Sequence, residues 1–386
     1  MSRINDLIKE LCPNGVEYVK LEELVDYIQP AKYIVKNTNY DINYDVPVLT
    51  AGQTFILGYT NEKDGIYYAS ADNPVIIFDD FTTSNHWVDF NFKVKSSAMK
   101  ILISKTDNLF KYIYYCISNI DYIPKEHSRQ WIQVYSQFQI PLPPLKVQEE
   151  IVRILDKFGE LEAELEAELE ARKSQYEFWR GNVFSSNNNL IKLDDVCNIT
   201  AGGTPSKTHS EYWENGNIRW LGSTVCENKK GISEVTNYIT ELGLSKSSAK
   251  LLKPGTTLIA MVGATIGKVA YLYYEACTNQ NVAGLFPKNI NELDTSYLYH
   301  ACRNLYSVFL DYANGKFSMA SLGYIKNLKI PLPNINEQKR IAKLLDKFDT
   351  LINDISEGLP AEIELRRKQY EYYRNKLLNF EELKNE

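Results

Sequence analysis

The sequence predicts an α+β fold: two modules of mixed strands and helices, joined by two long helices that pair as an antiparallel coiled coil, all arranged as a pseudo-twofold internal repeat. Three observations predict it. A block near the middle of the chain returns near its end, each copy follows a region of short β-type runs closed by a helix-patterned stretch, and both copies carry apolar residues at helical spacing.

The first module, 1–143, opens on MSRINDLIKELCPNG, which lacks the long apolar stretch and small-residue cleavage site of a secretory leader. Its β-type runs include GYTNEKDGIYYAS and PVIIFDD, bounded by Gly, Asn and Asp, and LFKYIYYCISNI supplies a helix near its end. A central helix, 144–184, starts behind prolines that hold the chain extended, with Gln148 opening a polar first turn. Ile151, Leu155 and Phe158 begin its apolar stripe. Leu161, Leu165 and Leu169 continue it at a strict spacing of four through ELEAELEAELEA, Glu160 to Ala171, which contains no Gly, Pro or β-branched residue.

The second module, 185–333, repeats the plan with NIRWLGSTV, TTLIAMVG and KVAYLYY as strands and SYLYHACRNLYSVFLDYA as helix. In the C-terminal helix, 334–386, Gln338 opens the polar first turn, and Ile341, Leu345, Phe348, Ile352, Ile355 and Leu359 alternate spacings of four and three. That seam suits pairing with another helix, and the matched stripe in the central helix is the natural partner. Packing of each stripe on its own module is the plainer alternative. Pro360 removes a backbone donor and clashes with the preceding turn, so the second helix should kink or restart there.

The repeat itself is explicit. IPLPPLKVQEEIVRILDKF from Ile140 returns as IPLPNINEQKRIAKLLDKF from Ile330, an offset of 190, and RKSQYEFWR from Arg172 returns as RRKQYEYYR from Arg366, an offset of 194. The offsets differ by four residues, the length of one ELEA word. VKLEEL at Val19 is echoed by IKLDDV at Ile191.

At 386 residues the chain is long enough for two to three domains. No run of about 18 apolar residues occurs in it, so no membrane span is expected. Six scattered cysteines without a C-x-x-C pair, and without His at metal-ligand spacing, read as free, mostly buried thiols in a reducing cytoplasm, with no metal site. The net charge of −6 argues against a nucleic-acid partner until it is resolved by segment: residues 185–330 carry 14 Lys and Arg against 11 Asp and Glu, which allows a local basic surface.

Several motifs imitate chemistry they do not complete. GATIGK, Gly263 to Lys268, has three residues between its glycines and Val269 after the Lys, where a phosphate loop needs four and then Ser or Thr; a turn between strands fits better. Asn73-Pro74-Val75-Ile76 lacks the aromatic residue that would stack on an extruded base, and no glycine-rich cofactor loop precedes it. Glu227-Asn228-Lys229 has no P-D partner upstream, and Asp79-Asp80 reads as a solvated strand-end turn. His86, His127, His209 and His300 have no nucleophile that sequence can identify, so no catalytic residue is assigned.

Two dissimilar regions of about 140 residues, each closed by a near-duplicate PLP...Q..I...LD.. helix, resemble the specificity subunit of type I restriction and modification systems. TAGGTPSKTHSEYWENGNIRWLGST and MVGATIGKVAY resemble the opening and middle of that family's target-recognition domain, whereas DVPVLTAGQTFILGYT and IIFDDFTTSNHW are similar to a different subclass. The resemblance implies that 1–143 and 185–333 each read one half of a split DNA sequence, that 144–184 and 334–386 space them, and that two methyltransferase subunits and restriction subunits dock on those helices. It also implies no cofactor in this chain, with S-adenosylmethionine, ATP and Mg in the partner subunits. The alternatives are a coiled-coil scaffold joining two protein-binding domains and a self-sufficient DNA methyltransferase or nuclease.

Reading bases takes Arg or Lys for guanine, Asn or Gln for adenine and Ser or Thr as adaptable contacts, while phosphates take Lys, Arg and backbone amides. Loop clusters with that chemistry supply the DNA-binding candidates. In the first module they are Thr83, Asn85, His86, Lys125, His127, Arg129 and Gln130; in the second, Lys207, His209, Arg219, Lys229, Lys230, Lys268, Gln280 and Asn281. By resemblance, Thr204, Pro205, Trp220 and Gly267 match recurring and mostly structural positions.

Overall fold

A computed structural model describes residues 2–50, 54–185, 189–232, 235, 237–314, 319–354 and 356–383. The chain divides into two units: Met1–Ala163 with Leu365–Glu386, and Glu164–Glu364. Each unit therefore holds one variable region together with parts of the long helices.

The first unit contains α1 (Ser2–Leu11), β1 (Glu17–Lys20), α2 (Leu21–Leu24), β2 (Val25–Ile28), β3 (Val46–Leu49), β4 (Ile56–Thr60), β5 (Val75–Asp79), β6 (Asn85–Val88), β7 (Lys93–Val94), β8 (Met99–Ser104), α3 (Phe110–Ser118) and β9 (Gln139–Leu142). Its sheets have the orders β2-β8-β5-β6, β4-β3-β7 and β1-β9. The long helix α4 (Leu145–Ser185) contributes its first part here.

The second unit takes the rest of α4, then β10 (Leu190–Lys192), α5 (Leu193–Val196), β11 (Cys197–Ala201), β12 (Ile218–Leu221), β13 (Tyr238–Ile239), α6 (Glu241–Ser245), β14 (Thr257–Ala260), β15 (Val269–Tyr271), β16 (Cys277–Thr278), β17 (Val282–Pro287), α7 (Thr295–Asn304), α8 (Tyr306–Asn314), α9 (Leu322–Asn327), β18 (Lys329–Pro331) and α10 (Ile335–Asn353). Its sheets run β11-β17-β14-β15, β13-β12-β16 and β10-β18. Strand for strand this is the plan of the first unit, including the parallel pair in each three-stranded sheet, β3 with β7 and β12 with β16. The two variable regions are one topology carrying two sequences. The single helix expected over SYLYHACRNLYSVFLDYA is broken at Leu305 into α7 and α8.

Both IPLP segments are extended, as their prolines require, and pair with the strand before each short helix: Val19 opposite Ile140, and Ile191 opposite Ile330. The glutamines behind them correct the expectation of a polar first turn. Gln148 is 1% exposed and Gln338 not at all, because each is a buried clamp. Gln148 Nε2 donates to Pro143 O (2.8 Å) and Asn108 Oδ1 (3.0 Å), while its Oε1 accepts from Leu109 N (3.1 Å). Gln338 Nε2 donates to Pro333 O and Glu292 O, both at 2.8 Å, and its Oε1 accepts from Asp294 N (2.9 Å). A tyrosine completes each joint: Tyr112 donates to Pro141 O (2.9 Å) and Tyr297 to Pro331 O (2.8 Å).

The long helices pair, and their stripes also pack on the modules. Ile151 and Leu155 lie in one core with Tyr112, Ile113 and Cys116 of α3. Ile341, Leu345 and Ile352 share another with Leu298 and Cys302 of α7 and with Tyr176 and Phe184 of α4. The last helix, α11 (Leu359–Leu377), runs antiparallel to α4 within the first unit: Phe158 stacks on Tyr373 (5.4 Å between centroids), and four residues on, Glu162 accepts from Arg367 Nε at 2.6 Å. The restart expected at Pro360 is present, since α10 ends at Asn353 and α11 begins at Leu359. Gly358 sits in the break, where a Cβ would lie 2.6 Å from Thr350 O. Ile355 of the expected seam lies outside the described residues.

The two chain ends meet in the first unit. Val16 N donates to Glu381 O (2.8 Å) and Leu383 N to Val16 O (2.9 Å), with Ile4, Leu377 and Leu378 buried in the same core. Gly15, at φ +94°, permits this approach, because a Cβ there would stand 2.4 Å from Glu381 O. All six cysteines are free and buried. Among the described residues no helix is long and apolar enough to cross a membrane.

Candidate nucleic-acid interface

In the first unit the candidates converge on one end of the sheet β2-β8-β5-β6, at the turn from β5 to β6. Asp79 builds that turn, its Oδ1 accepting from Phe81 N (2.7 Å) and Thr82 N (2.9 Å), and Thr83 closes it at φ +62°. Asp79 and Asp80, expected in a solvated turn, are buried. Asp80 ties the turn to the second loop: its carbonyl accepts from Gln130 N (2.8 Å) and its Oδ1 from Trp131 N (2.9 Å). Phe81 then stacks on His127, with centroids 4.6 Å apart, so the 82–87 and 125–130 clusters form one patch. Beneath it Lys100, which has no exposed surface, lies 3.5 Å from Asp80 Oδ2 and 4.8 Å from the centre of the Tyr27 ring.

Within this patch the side chains divide by what they touch. Lys125, His127 and Arg129 are exposed, and Lys125 and Arg129 make no ion pair among the described residues. Asn85 Oδ1 accepts from Ser118 Oγ (2.5 Å), and His86 stacks on Phe55 at 4.0 Å, where burial lowers its pKa. Gln130 is buried; its Oε1 accepts from Tyr122 and its Nε2 donates to Ser128 O, both at 2.8 Å. It is committed to holding the loop and leaves the set of candidate base readers.

The second unit uses the same end of the matching sheet. Gly202 and Gly203 bring the loop after β11 onto Thr278: a Cβ at Gly202 would lie 2.0 Å from Thr278 O, and Gly203 N donates to that oxygen at 2.8 Å. Trp220 Nε1 holds Gly203 O (2.9 Å), and Thr204 Oγ1 donates to Gln280 Oε1 (2.6 Å). Asn281 O accepts from Met261 N at the end of β14, and Lys268 O from Ala260 N. Thr204, Gln280, Asn281 and Lys268 therefore cluster where β11, β14, β15 and β17 begin or end. GATIGK is the turn between β14 and β15, in the position that the Asp79–Ser84 turn holds in the first unit.

Lys207 is exposed on the loop beyond β11 and makes no ion pair among the described residues, while the neighbouring His209 pairs with Glu211 (3.0 Å) and stacks on Tyr212 (4.8 Å). Arg219 sits on the other sheet, over Tyr274 at 4.4 Å. Lys229 is exposed and 3.4 Å from Glu227. Lys230 is 12% exposed and spends its ammonium on Asp346 Oδ1 (2.5 Å) and Ser296 Oγ (2.7 Å), so it too leaves the set of direct readers. The sequence marked Lys230 by charge alone, and its acceptors lie far downstream, Ser296 in α7 and Asp346 in α10.

Asp346 gathers this inner network. Burial opposes its ionisation, yet hydrogen bonds from His300 and Lys230 outweigh it and hold the carboxyl at about 2. His300 is fully buried, 2.7 Å from Asp346 through Nε2 and 3.3 Å from the Tyr176 hydroxyl through Nδ1, which suits the neutral Nε2–H tautomer. Burial lowers its pKa. The unfolded chain therefore takes up this proton more readily, and stability is full above about pH 6.5 and lost as the pH falls below it. Thermal melts should show a lower midpoint at pH 5.5 than at pH 7, with His300→Gln flattening the difference; an unchanged slope would count against this assignment.

The family model described as "Type I restriction modification DNA specificity domain" matches residues 13–171 and again 185–365. A relative from Escherichia coli, the type I restriction enzyme EcoR124I/EcoR124II specificity subunit, is 45% identical over 405 residues, covering 98% of each chain. A putative type I restriction enzyme specificity subunit from Haemophilus influenzae is 31% identical, covering 97% of this chain and 98% of its own. The crystal structure of the type I restriction-modification S subunit from M. genitalium shares the fold, with a TM-score of 0.58 at 16% identity, over 95% of this chain and 97% of that one.

Proposed function

Because the chain belongs to the type I restriction-modification DNA specificity family, we propose that its two variable regions each read one half of a bipartite double-stranded DNA site. One observation carries this reading. The same topology occurs twice and presents different chemistry at the same sheet end: Asn85, Lys125, His127 and Arg129 in the first unit, Thr204, Lys268, Gln280 and Asn281 in the second. Identical scaffolds with different polar tips suit two readers of different half-sites.

The chain has no catalytic residue of its own in this reading and serves as the specificity subunit of a larger enzyme. The long helices set the distance between half-sites and offer two similar docking surfaces, built from the duplicated blocks, to two methyltransferase subunits and to restriction subunits. S-adenosylmethionine, ATP and Mg belong to those partners, and the assembly works in the cytoplasm. In the first reader, Lys125 and Arg129 take phosphate or guanine, and Thr83, Asn85, His86 and His127 line the patch. In the second, Lys207, His209, Arg219, Lys229 and Lys268 supply donors and Gln280 and Asn281 read adenine.

The reading is tested by co-purifying the chain with a type I methyltransferase subunit and footprinting the complex. Salt-sensitive protection of a split sequence supports it, and a complex that protects no DNA overturns it. Arg129→Ala should weaken binding and, if the contact is to phosphate, lower the slope of log K against log salt by about 0.9; if it is to guanine, it should relax the first half-site instead.

A further inference from the structure

The loop Glu227–Ile232 leaves the buried Cys226 and returns to the core at Ile232, carrying the exposed Lys229 at its crest. Asn228 turns it at φ +61° and docks it beside β15: its backbone N–H donates to Val269 O and its Oδ1 accepts from Val269 N, both at 3.0 Å. Two residues on, the chain reaches the other way. Lys230 N donates to Asp349 Oδ2 (3.3 Å), and Lys230 Nζ to Asp346 Oδ1 and Ser296 Oγ, with the ammonium 4.8 Å from the centre of the Tyr271 ring. Between loop and helix lies a cavity of about 490 Å³ bordered by Lys229, Gly231, Tyr273, Asp349 and Asn353, so side-chain packing does not fill the space beneath the crest. The loop is held from two sides, on β15 by Asn228 and the bridge of Lys229 to Ala270, and on α10 by the hydrogen bonds of Lys230.

The acceptors are themselves fixed. Asp346 is held by His300 and Ser296 as well as by Lys230, and Asp349 Oδ1 takes Arg303 Nη1 at 2.6 Å and Asn353 Nδ2 at 3.0 Å. The matching residue of the first unit is tied differently. Asp156, which stands 190 residues before Asp346 in the repeated block, is bound by Tyr115 and Lys111 of its own α3 and, among the described residues, by no loop residue.

We propose that Lys230 and Asp346 are a positioning pair for the second half-site: they fix the 227–232 loop to α10 and so set where Lys229 meets DNA. The inference rests on the DNA-reading function above. It differs from a direct phosphate contact by Lys230 in the expected sign at Asp346. Removing a negative charge from a DNA-binding protein strengthens binding by simple electrostatics; removing an anchor weakens the half-site that depends on it.

The experiment uses the complex with its methyltransferase partner and duplexes carrying the site that the wild-type complex modifies, or that site altered in one half. Asp346→Asn keeps the side chain's shape, and Lys230→Met keeps the aliphatic stem. Each should lower discrimination at the second half-site about tenfold, the scale of coupling between groups in direct contact, and leave the first half-site unchanged. Lys229→Ala should give a similar loss, and combining it with Lys230→Met should add little. Tighter cognate binding by Asp346→Asn, additive losses in the double variant, or equal losses at both half-sites overturn the positioning role. A wild-type complex that discriminates neither half-site instead sinks the reading on which the proposal rests.

Discussion

Deleting Glu168–Ala171 should leave both half-sites unchanged and shorten the unread spacer between them by one or two base pairs. Four residues of α-helix advance about 6 Å and rotate about 400°, a net 40°. One base pair of DNA advances about 3.4 Å and, at about 10 to 10.5 pairs per turn, rotates roughly 35°. One ELEA word is thus close to one base-pair step in rotation and up to two in length. The deletion is also locally conservative. Leu161, Leu165 and Leu169 are half-buried and Ala163, Ala167 and Ala171 exposed, so Leu165 inherits the place of Leu169, and Glu164 that of Glu168, which pairs with Arg172 at 2.8 Å. The original site should lose most of its protection, because a misplaced half forfeits about 1–3 kcal/mol at each base pair it no longer matches. Footprinting against a spacer series measures this, and an altered half-site at unchanged spacing would refute the ruler.

The second large effect is on stability. Lys100→Met should destabilise the first unit by about 3–5 kcal/mol, the usual cost of stranding one member of a buried ion pair. Asp80 is 1% exposed, and its Oδ2 and Lys100 Nζ, 3.5 Å apart, have no hydrogen-bond partner among the described residues, so each charge relies on the other. Adding Asp80→Asn should recover most of the loss, because a neutral amide oxygen still accepts the Trp131 N–H. Hydrogen exchange at the Gln130 and Trp131 amides reads the result locally, which suits a chain of two units better than one global transition. Fast exchange in Lys100→Met and near-normal protection in the double variant are expected. Equal protection in all three proteins would show that the pair contributes nothing.

How far the sequence speaks depends on whether a feature is written locally. The repeated blocks, the extended IPLP segments, the restart at Pro360 and the strand turn in GATIGK follow from proline, glycine and apolar spacing within a few residues, and all are present in the fold. The strand-for-strand match of the two modules was hidden, because a strand buried on both faces needs only a short apolar run, and β5 and β14 meet that need with unrelated residues. The meeting of Val16 with Glu381 leaves no periodic trace either.

Polar residues were the hardest to place. Asp80, Gln130 and Lys230 have the composition of solvated loops and Gln148 and Gln338 that of a polar first turn, yet each is buried or nearly so, most of them by partners remote in sequence. One signal was available for the glutamines: the same residue at the same place in both repeated blocks, behind the same prolines. The candidate readers were easier to locate as clusters than as members. The turn 82–87 and the loop 125–130 do come together, through Asp80 and the Phe81–His127 stack, while Arg219 and Lys230 lie apart from the sheet-end group in the second unit.

The central claim is that this chain alone decides which DNA its assembly modifies. Genome-wide mapping of methylated adenines in the host, with and without the chain, tests it most directly. The expected result is one split motif, two short fixed sequences around an unread spacer, modified in the first case and unmodified in the second. Adenine methylation that persists unchanged without the chain would contradict it.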